Sequence, residues 1–203
     1  MFQSEPRLSL KQIADSVLKL SDFYIQHPES TTPWDEEFCQ IAYRHYFLPL
    51  NCLRNFRVVQ KGFATGFFSE LYSFPDWGCG PGTASFALAA HEGLKSQIQK
   101  QILIDQSELA LNHFEDLHTQ LIGLEKMAGT SLRKALSLET RKENRCLVFS
   151  YSLTEVSQLP EGWEEFEALM ILEPSTSEDG RHLLELRQKL IDKGYTLWAP
   201  CTH

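Results

Sequence analysis

The stretch at residues 74–90, FPDWGCGPGTASFALAA, constrains what this chain of 203 residues can fold into more than any other. Three glycines alternate behind an acid: Asp76 is followed by Gly78, Gly80 and Gly82. Without a Cβ, a glycine adopts positive φ and lets its backbone approach a ligand closely. The residues from Ala84 to Ala90 are mostly good helix formers, so a helix is expected to begin near Thr83, with Gly93 placed to cap its far end. The start of such a helix offers unpaired N–H groups and a partial positive charge, which suits an anion over the turn. The segment reads as the first strand, the turn and the first helix of a doubly wound α/β domain.

Spacing narrows the ligand. A dinucleotide fingerprint would place its third glycine where Thr83 stands, and a phosphate-binding P-loop needs Gly-Lys-Ser/Thr, which is missing. What remains is an acid at a strand end, Asp76, followed by G-x-G-x-G with Cys79 inside the turn. This resembles the first motif of class I S-adenosylmethionine-dependent methyltransferases, whose glycine turn receives the methionyl part of the cofactor. The competing account is a tight strand-to-helix turn that binds nothing, so the companions of the turn decide.

Composition sets the outer bounds. With 42% hydrophobic and 23% charged residues, the chain fits one globular domain plus an appendage. A net charge of −8 argues against a generally basic nucleic-acid coat. The five cysteines, Cys39, Cys52, Cys79, Cys146 and Cys201, are odd in number and scattered, unlike a secreted disulfide framework. The opening MFQSEPRLSLKQIADS has neither a secretory apolar core nor an Arg-rich, acid-poor transit pattern. No apolar run reaches the roughly 18 residues of a membrane span. A soluble cytoplasmic protein without a membrane partner is expected.

Two regions follow from the periodicity. Residues 1–71 read as an N-terminal helical subdomain. Ser9 and Gln12 form a capping box before a stripe of Leu10, Ile13, Val17, Leu20 and Tyr24. Thr32-Pro33 should start a second helix as N-cap and first helical residue, and Pro49 should break it. A third helix is expected over residues 51–71, with Phe56, Val59, Phe63 and Phe67 as its packing face. Residues 72–203 read as a Rossmann-like domain. Apolar runs around Phe74 and at 102–104, 146–149, 169–172 and 195–198 alternate with helical patterns at 83–92, 107–122, 154–167 and 180–192. Such alternation gives a mainly parallel sheet with helices on both faces and ligands at the carboxyl edge. Pro75 cannot donate within a strand, so the first strand is expected to be short or to start at Asp76. One further strand is expected in residues 123–145, around 134–138.

The second strand ends at Asp105, followed by Gln106-Ser107-Glu108 at the opening of the next helix. A carboxylate there accepts from both hydroxyls of a ribose, or serves as an ordinary helix-start charge. With Asp76 and the three glycines at the right topological distance, ribose binding is favoured. The fourth strand ends in Ser150-Tyr151-Ser152, without the Asn/Asp-Pro-Pro-Tyr run that holds an acceptor nitrogen in many amino-group methyltransferases. Tyr151 either lines a transfer cleft or packs on its neighbours. Glu173 closes the fifth strand, facing the cleft or pairing with a neighbour. Cys201-x-His203 is half of a four-ligand metal site, and an ordinary thiol is the default.

Taken together, residues 76–84, the strand Leu147-Val148-Phe149-Ser150-Tyr151 with Glu155, Ile171-Leu172-Glu173-Pro174 with Gly180-Arg181, and Ala199-Pro200-Cys201-Thr202-His203 resemble the methyltransferase-like family associated with the mitochondrial small ribosomal subunit and its bacterial relatives. Tyr46-Phe47-Leu48-Pro49-Leu50-Asn51 is a weaker part of the match, which spans roughly residues 40–203. The resemblance implies a class I methyltransferase fold and S-adenosylmethionine as cofactor, held by Asp76, Gly78, Cys79, Gly80, Gly82, Asp105, Gln106, Ser150 and Tyr151. It also implies a link to ribosomal RNA or the small ribosomal subunit. The same family ties its C-terminal cysteines to an iron–sulfur cluster, but only Cys201 of that group stands in this sequence, so no cluster is expected. Two functions remain open: a methyltransferase acting on ribosomal RNA or a ribosome-linked substrate, or a non-catalytic small-subunit assembly factor that keeps the fold. Lys126, Arg133, Lys134, Arg141, Lys142 and Arg145 offer either of them an RNA-facing patch, or form a solvated loop.

Overall fold

The computed structural model describes residues 8–27, 30–120, 130–133, 144–153 and 159–199. Two compact units divide the chain, Met1–Asn51 and Cys52–His203.

In the first unit, α1 (Leu10–Gln26) begins with the expected capping box. Ser9 Oγ accepts from Gln12 N at 3.2 Å, and Ser9 N donates to Gln12 Oε1 at 2.9 Å. Leu20 is fully buried, Ile13, Val17 and Tyr24 are partly so, and Leu10 stands exposed. The second helix, α2 (Glu37–Ala42), starts later than Thr32-Pro33 suggests. The Thr32 hydroxyl lies 2.9 Å from the Tyr24 hydroxyl, and the chain first makes two turns, Trp34 N donating to Thr32 O and Glu36 N to Pro33 O. Pro49 does not end the helical path. A π-turn over Tyr43–Phe47, closed by Leu48 N donating to Tyr43 O, leads into α3 (Leu48–Ala64), whose first turn requires no donor from Pro49.

Among the described residues, the second unit is built on a sheet of five parallel strands: β1 (Ser73–Trp77), β2 (Lys100–Ile104), β3 (Thr130–Arg133), β4 (Cys146–Ser150) and β5 (Ala168–Leu172), in the order β3-β2-β1-β4-β5. The order reverses between β1 and β4, which makes the carboxyl ends of those strands the natural place for a ligand. Helices α4 (Thr83–Ala89), α5 (Glu92–Lys95), α6 (Glu108–Gln120) and α7 (Ser177–Asp192) connect or follow the strands.

Strand alternation sorts the core into two layers. Phe74, Cys146, Val148 and Met170 face Val59 of α3 and Ala84, Ala87 and Leu88 of α4. Trp77, Ile102, Ile104, Leu147 and Phe149 face Leu186 of α7 and Trp163 and Phe166, which precede β5. Pro75 sits inside β1 without shortening it. Gly78 N donates to Ile104 O on the β2 side, so by alternation the odd positions of β1 point their nitrogens at β4. The β1–β4 ladder is registered at Asp76 and Trp77, with an isolated bridge at Ser73–Arg145, and Pro75 falls in the gap between them.

Several expectations require correction. The third strand is Thr130–Arg133, just ahead of the expected 134–138, which lies outside the described residues. Residues 195–198 are not a strand. After Gly194 at φ 92 the Tyr195 ring stacks on Trp163 at 5.8 Å, its hydroxyl donates to Phe166 O at 2.6 Å, and Trp198 meets Phe67 edge-on. The two rings pack on separate parts of the chain, and the segment does not pair in the sheet. Gly93 lies within α5 rather than capping α4, under the Phe63 ring, where a Cβ would come within 2.5 Å of Phe63 Cζ. Of the pattern at 154–167, only a 3₁₀ turn at Trp163–Glu165 falls among the described residues.

Phe74 is fully buried at the centre of the first layer. Replacing it with alanine should cost about 3–5 kcal/mol, read as a lowered urea midpoint at unchanged slope.

Candidate functional site

The glycine turn begins where β1 ends. Gly78, Gly80 and Gly82 have φ of 64°, 53° and 83°, so all three positions of the alternation use a conformation that other residues adopt only under strain. Gly78 N and Cys79 N both donate to Ile104 O, at 2.8 and 3.1 Å, and Gly82 N donates to Cys79 O at 2.8 Å. Two of the glycines also make room for the protein's own side chains. A Cβ on Gly78 would lie 2.6 Å from Ser152 Cβ, and one on Gly82 would lie 2.5 Å from the Phe114 ring.

Asp105 follows β2 directly and turns its carboxylate onto this bend. Its Oδ2 accepts from Gly80 N at 2.8 Å and its Oδ1 from Ser107 N at 2.8 Å. Burial pushes the Asp105 pKa upward, against the pull of the two N–H donors. Gln106 stands exposed beside it, on the rim. The bend and the β2 carboxylate therefore share one edge, as the spacing predicted.

Asp76 is placed differently. It is 1% exposed and lies beneath α4, where Oδ2 accepts from Ser85 Oγ at 2.8 Å while, among the described residues, no hydrogen-bond partner reaches Oδ1. Burial pushes its pKa up to about 7; the Ser85 hydroxyl opposes the rise and the Asp105 charge adds to it. Cys79 is buried within the turn, and its thiol is raised well above the ordinary range by burial and by the charges of Asp76 and Asp105. A thiol held so firmly protonated is not a nucleophile.

At the end of β4, Ser150 is buried. Its hydroxyl accepts from Asn55 Nδ2 at 2.8 Å and lies 3.4 Å from Thr83 Oγ1. Tyr151 is half-buried with φ of 59°, a strained position for a bulky residue, and its hydroxyl lies 3.4 Å from Arg54 Nη1. Ser152 Oγ donates to Trp77 O at 2.7 Å, tying β4 back to the glycine turn. Glu173 does not open toward a cleft. Its Oε1 accepts from Ser152 N and Leu153 N at 3.1 and 2.9 Å, which fixes the chain beyond β4.

Asn55, Arg54, Ser152 and Phe114 escaped the sequence reading. Asn55 carried a signal, since it is a polar residue on the packed face of α3 between Cys52 and Val59. Phe114 carried none, being one apolar position of an amphipathic helix. Of the anticipated basic patch, Lys126, Lys134, Arg141 and Lys142 lie outside the described residues, and Arg133 belongs to β3. Arg145 faces no solvent. It is buried with its guanidinium 4.3 Å from the Phe166 ring and Nη2 donating to Glu165 O at 2.9 Å. Cys201 and His203 lie outside the described residues, and among those described no group of three or more metal-ligating side chains comes together. No helix among the described residues is long and apolar enough to cross a membrane.

The strand order and the glycine bend at its switch point define a Rossmann-like α/β domain of the methyltransferase-like kind. A family comparison specifies the group further: residues 68–203 match the family described as mitochondrial small ribosomal subunit Rsm22, and the chain belongs to that family. No curated protein matches the sequence. Among solved structures, the chain is similar to an uncharacterized ACR superfamily protein from Burkholderia thailandensis, at 16% identity and a TM-score of 0.38. That match covers 72% of this chain and 41% of the other, so this chain spans less than half of that protein's length.

Two outcomes follow from this geometry. Gly82→Ala should destabilise the protein by about 2 kcal/mol or more, from the left-handed φ and the collision with Phe114; the additional change Phe114→Leu should recover part of the loss, both read by urea unfolding. The raised Asp76 pKa means that the folded state keeps a proton between about pH 4 and 7 that the unfolded state has released. Stability contributed by that proton is lost as pH rises through this window. Asp76→Asn should flatten the pH dependence there, removing a slope of at most about 1.4 kcal/mol per pH unit, and should leave the variant more stable than the parent at pH 8.

Proposed function

We propose that this chain is an S-adenosylmethionine-dependent methyltransferase acting on ribosomal RNA or a ribosome-linked substrate. The observation that carries the reading is the hydrogen bond from Gly80 N to Asp105 Oδ2 at 2.8 Å, which puts the close-approach backbone and the β2 carboxylate on one rim. The donor set fits this cofactor. Asp76 and Asp105 are near enough for the charge of one to raise the pKa of the other, so a ligand bearing positive charge at Asp105 lessens that repulsion. Each Asp105 oxygen has one lone pair engaged by an N–H and another left for a ribose hydroxyl.

When bound, S-adenosylmethionine supplies a methyl group already activated on a sulfonium. What the chain itself must supply is alignment and exclusion of water. Asp105 and the exposed Gln106 would hold the ribose side. The backbone at Gly78, Gly80 and Gly82 would lie along the methionyl end, with Asp76 and Cys79 supporting the turn from beneath. Ser150 and Tyr151, fixed by Asn55 and Arg54, would border the path of the acceptor. A role in ribosome biology comes from the family match and from no individual residue described above.

A specific observation favours a second reading. Ser150, Ser152 and Glu173 are all drawn into internal hydrogen bonds at the place where an acceptor would be deprotonated. A small-subunit assembly factor that binds the cofactor without turnover fits that arrangement.

Titration calorimetry with S-adenosylmethionine should give saturable binding that weakens at least tenfold in Asp105→Ala; a flat titration of a folded parent protein refutes cofactor binding. Incubation with methyl-labelled cofactor and small-subunit RNA then separates the two readings. Label transfer that disappears in Gly80→Arg identifies an enzyme, and RNA retention without transfer identifies the assembly factor.

A further inference from the structure

Helix α3 carries a feature that the cofactor site does not use. Arg54, Arg57 and Lys61 stand at i, i+3 and i+7, which places them on one face of the helix. The opposite face is the packed one: Asn55 and Val59 are buried, and Cys52 and Phe56 partly so. All three cations are exposed. The helix LPLNCLRNFRVVQKGFA contains no Asp or Glu, in a chain whose 27 acids outnumber its 19 Lys and Arg residues. Arg57 Nη1 reaches Gln60 Oε1 at 3.4 Å, and among the described residues neither Arg57 nor Lys61 forms an ion pair. An amphipathic helix that only had to cover a sheet would be expected to mix acids with bases on its wet side.

The row has a direction. It spans about 10 Å at the helical rise of about 1.5 Å per residue. At its N-terminal end Arg54 meets the hydroxyl of Tyr151, so the row terminates beside an aromatic ring at the carboxyl edge of β4. A line of cations ending at an aromatic ring is the arrangement that takes single-stranded nucleic acid, with the phosphates on the cations and an unstacked base at the ring. An acidic peptide would use the cations and leave the ring without a role.

We infer that the Arg54–Arg57–Lys61 face of α3 is the track along which a single-stranded segment of RNA enters, its backbone on the cations and its leading base at Tyr151. The inference rests on the methyltransferase reading, because it makes that segment the acceptor. The anticipated patch at residues 126–145 is not required.

The test measures binding of a labelled single-stranded oligoribonucleotide to the full chain by fluorescence anisotropy across a salt series, without cofactor. Arg57→Gln/Lys61→Gln should reduce the slope of log affinity against log salt by about 1.4, at about 0.7 per lost phosphate contact. Arg57→Lys/Lys61→Arg should keep the parent slope. Arg187→Gln/Lys189→Gln, which removes the same charge from α7, should also keep it. The inference is overturned if the parent does not bind at low salt, if the α3 double variant keeps the full slope, if the α7 variant loses as much, or if polyglutamate displaces the RNA at equal charge. Calorimetry with S-adenosylmethionine on the same proteins reports on the cofactor reading alone. Intact cofactor binding with an unchanged salt slope discards the track and keeps the methyltransferase; a lost slope without cofactor binding does the reverse. Melting curves equal to the parent's establish that each variant is folded.

Discussion

The carboxylate of Asp105 is the fixed point of the described edge. By accepting from Gly80 N and Ser107 N it joins the glycine bend after β1 to the entry of α6 after β2. A backbone with three left-handed positions in five residues has little intrinsic preference for one shape, because glycine pays the largest entropic cost on ordering. The charge-assisted bonds to Asp105 and the pair of N–H bonds to Ile104 O select one. From there the fastening continues in the other direction: Trp77 O takes the Ser152 hydroxyl, and Ser152 and Leu153 give their N–H groups to Glu173. A rail of hydrogen bonds thus runs across the ends of β2, β1, β4 and β5, and every residue proposed to touch a cofactor lies on it or next to it.

The rail explains why the glycines are needed even before a ligand is considered. Gly78 and Gly82 clear space for Ser152 and Phe114, while Gly80 offers its N–H to Asp105. A binding account and a purely structural account of the motif are therefore not alternatives for the same atoms. Close packing from β4 and α6 holds the bend at two points, and the central glycine presents the backbone on which the β2 carboxylate depends. The raised pKa values of Asp76 and Cys79 follow from the same packing, since a turn sealed from beneath by α4 and the sheet leaves their charges without water.

Much of this was legible in the sequence because its signals are local. The G-x-G-x-G after a strand and the Ser9–Gln12 capping box each depend on residues a few positions apart, and Asp105, 25 residues beyond Gly80, follows from the fixed length of one strand–helix–strand unit. What was not legible depends on distant partners. Thr32 looks like an N-cap until the Tyr24 hydroxyl occupies it. Residues 195–198 read as an apolar strand run because Tyr195 and Trp198 are both drawn onto other parts of the chain, Trp163 and Phe67. The third strand, TSLR, is short and has Leu132 as its one apolar residue, so its composition gave no strand signal. Arg145 read as a surface cation only because the sequence cannot show the Phe166 ring beneath it.

Glu173 illustrates how a carboxylate at a strand end can act on the backbone of a neighbouring strand. Its side chain reaches back to the chain after β4, not forward into open space, and so fixes the turn in which Tyr151 holds its unfavourable φ of 59°. Strain of that kind, on the order of 1–3 kcal/mol, persists only where the surroundings over-determine the backbone. Here Tyr151 N also donates to Leu172 O at 2.7 Å, so both sides of the strained residue are anchored to the end of β5. Relaxing the turn would swing the ring away from Arg54 and from the Asn55–Ser150 bond, uncoupling α3 from the sheet edge. The fifth strand thus sets the position of an aromatic ring that it never touches in sequence, and the place of Tyr151 depends on β5 as much as the shape of the glycine bend depends on β2.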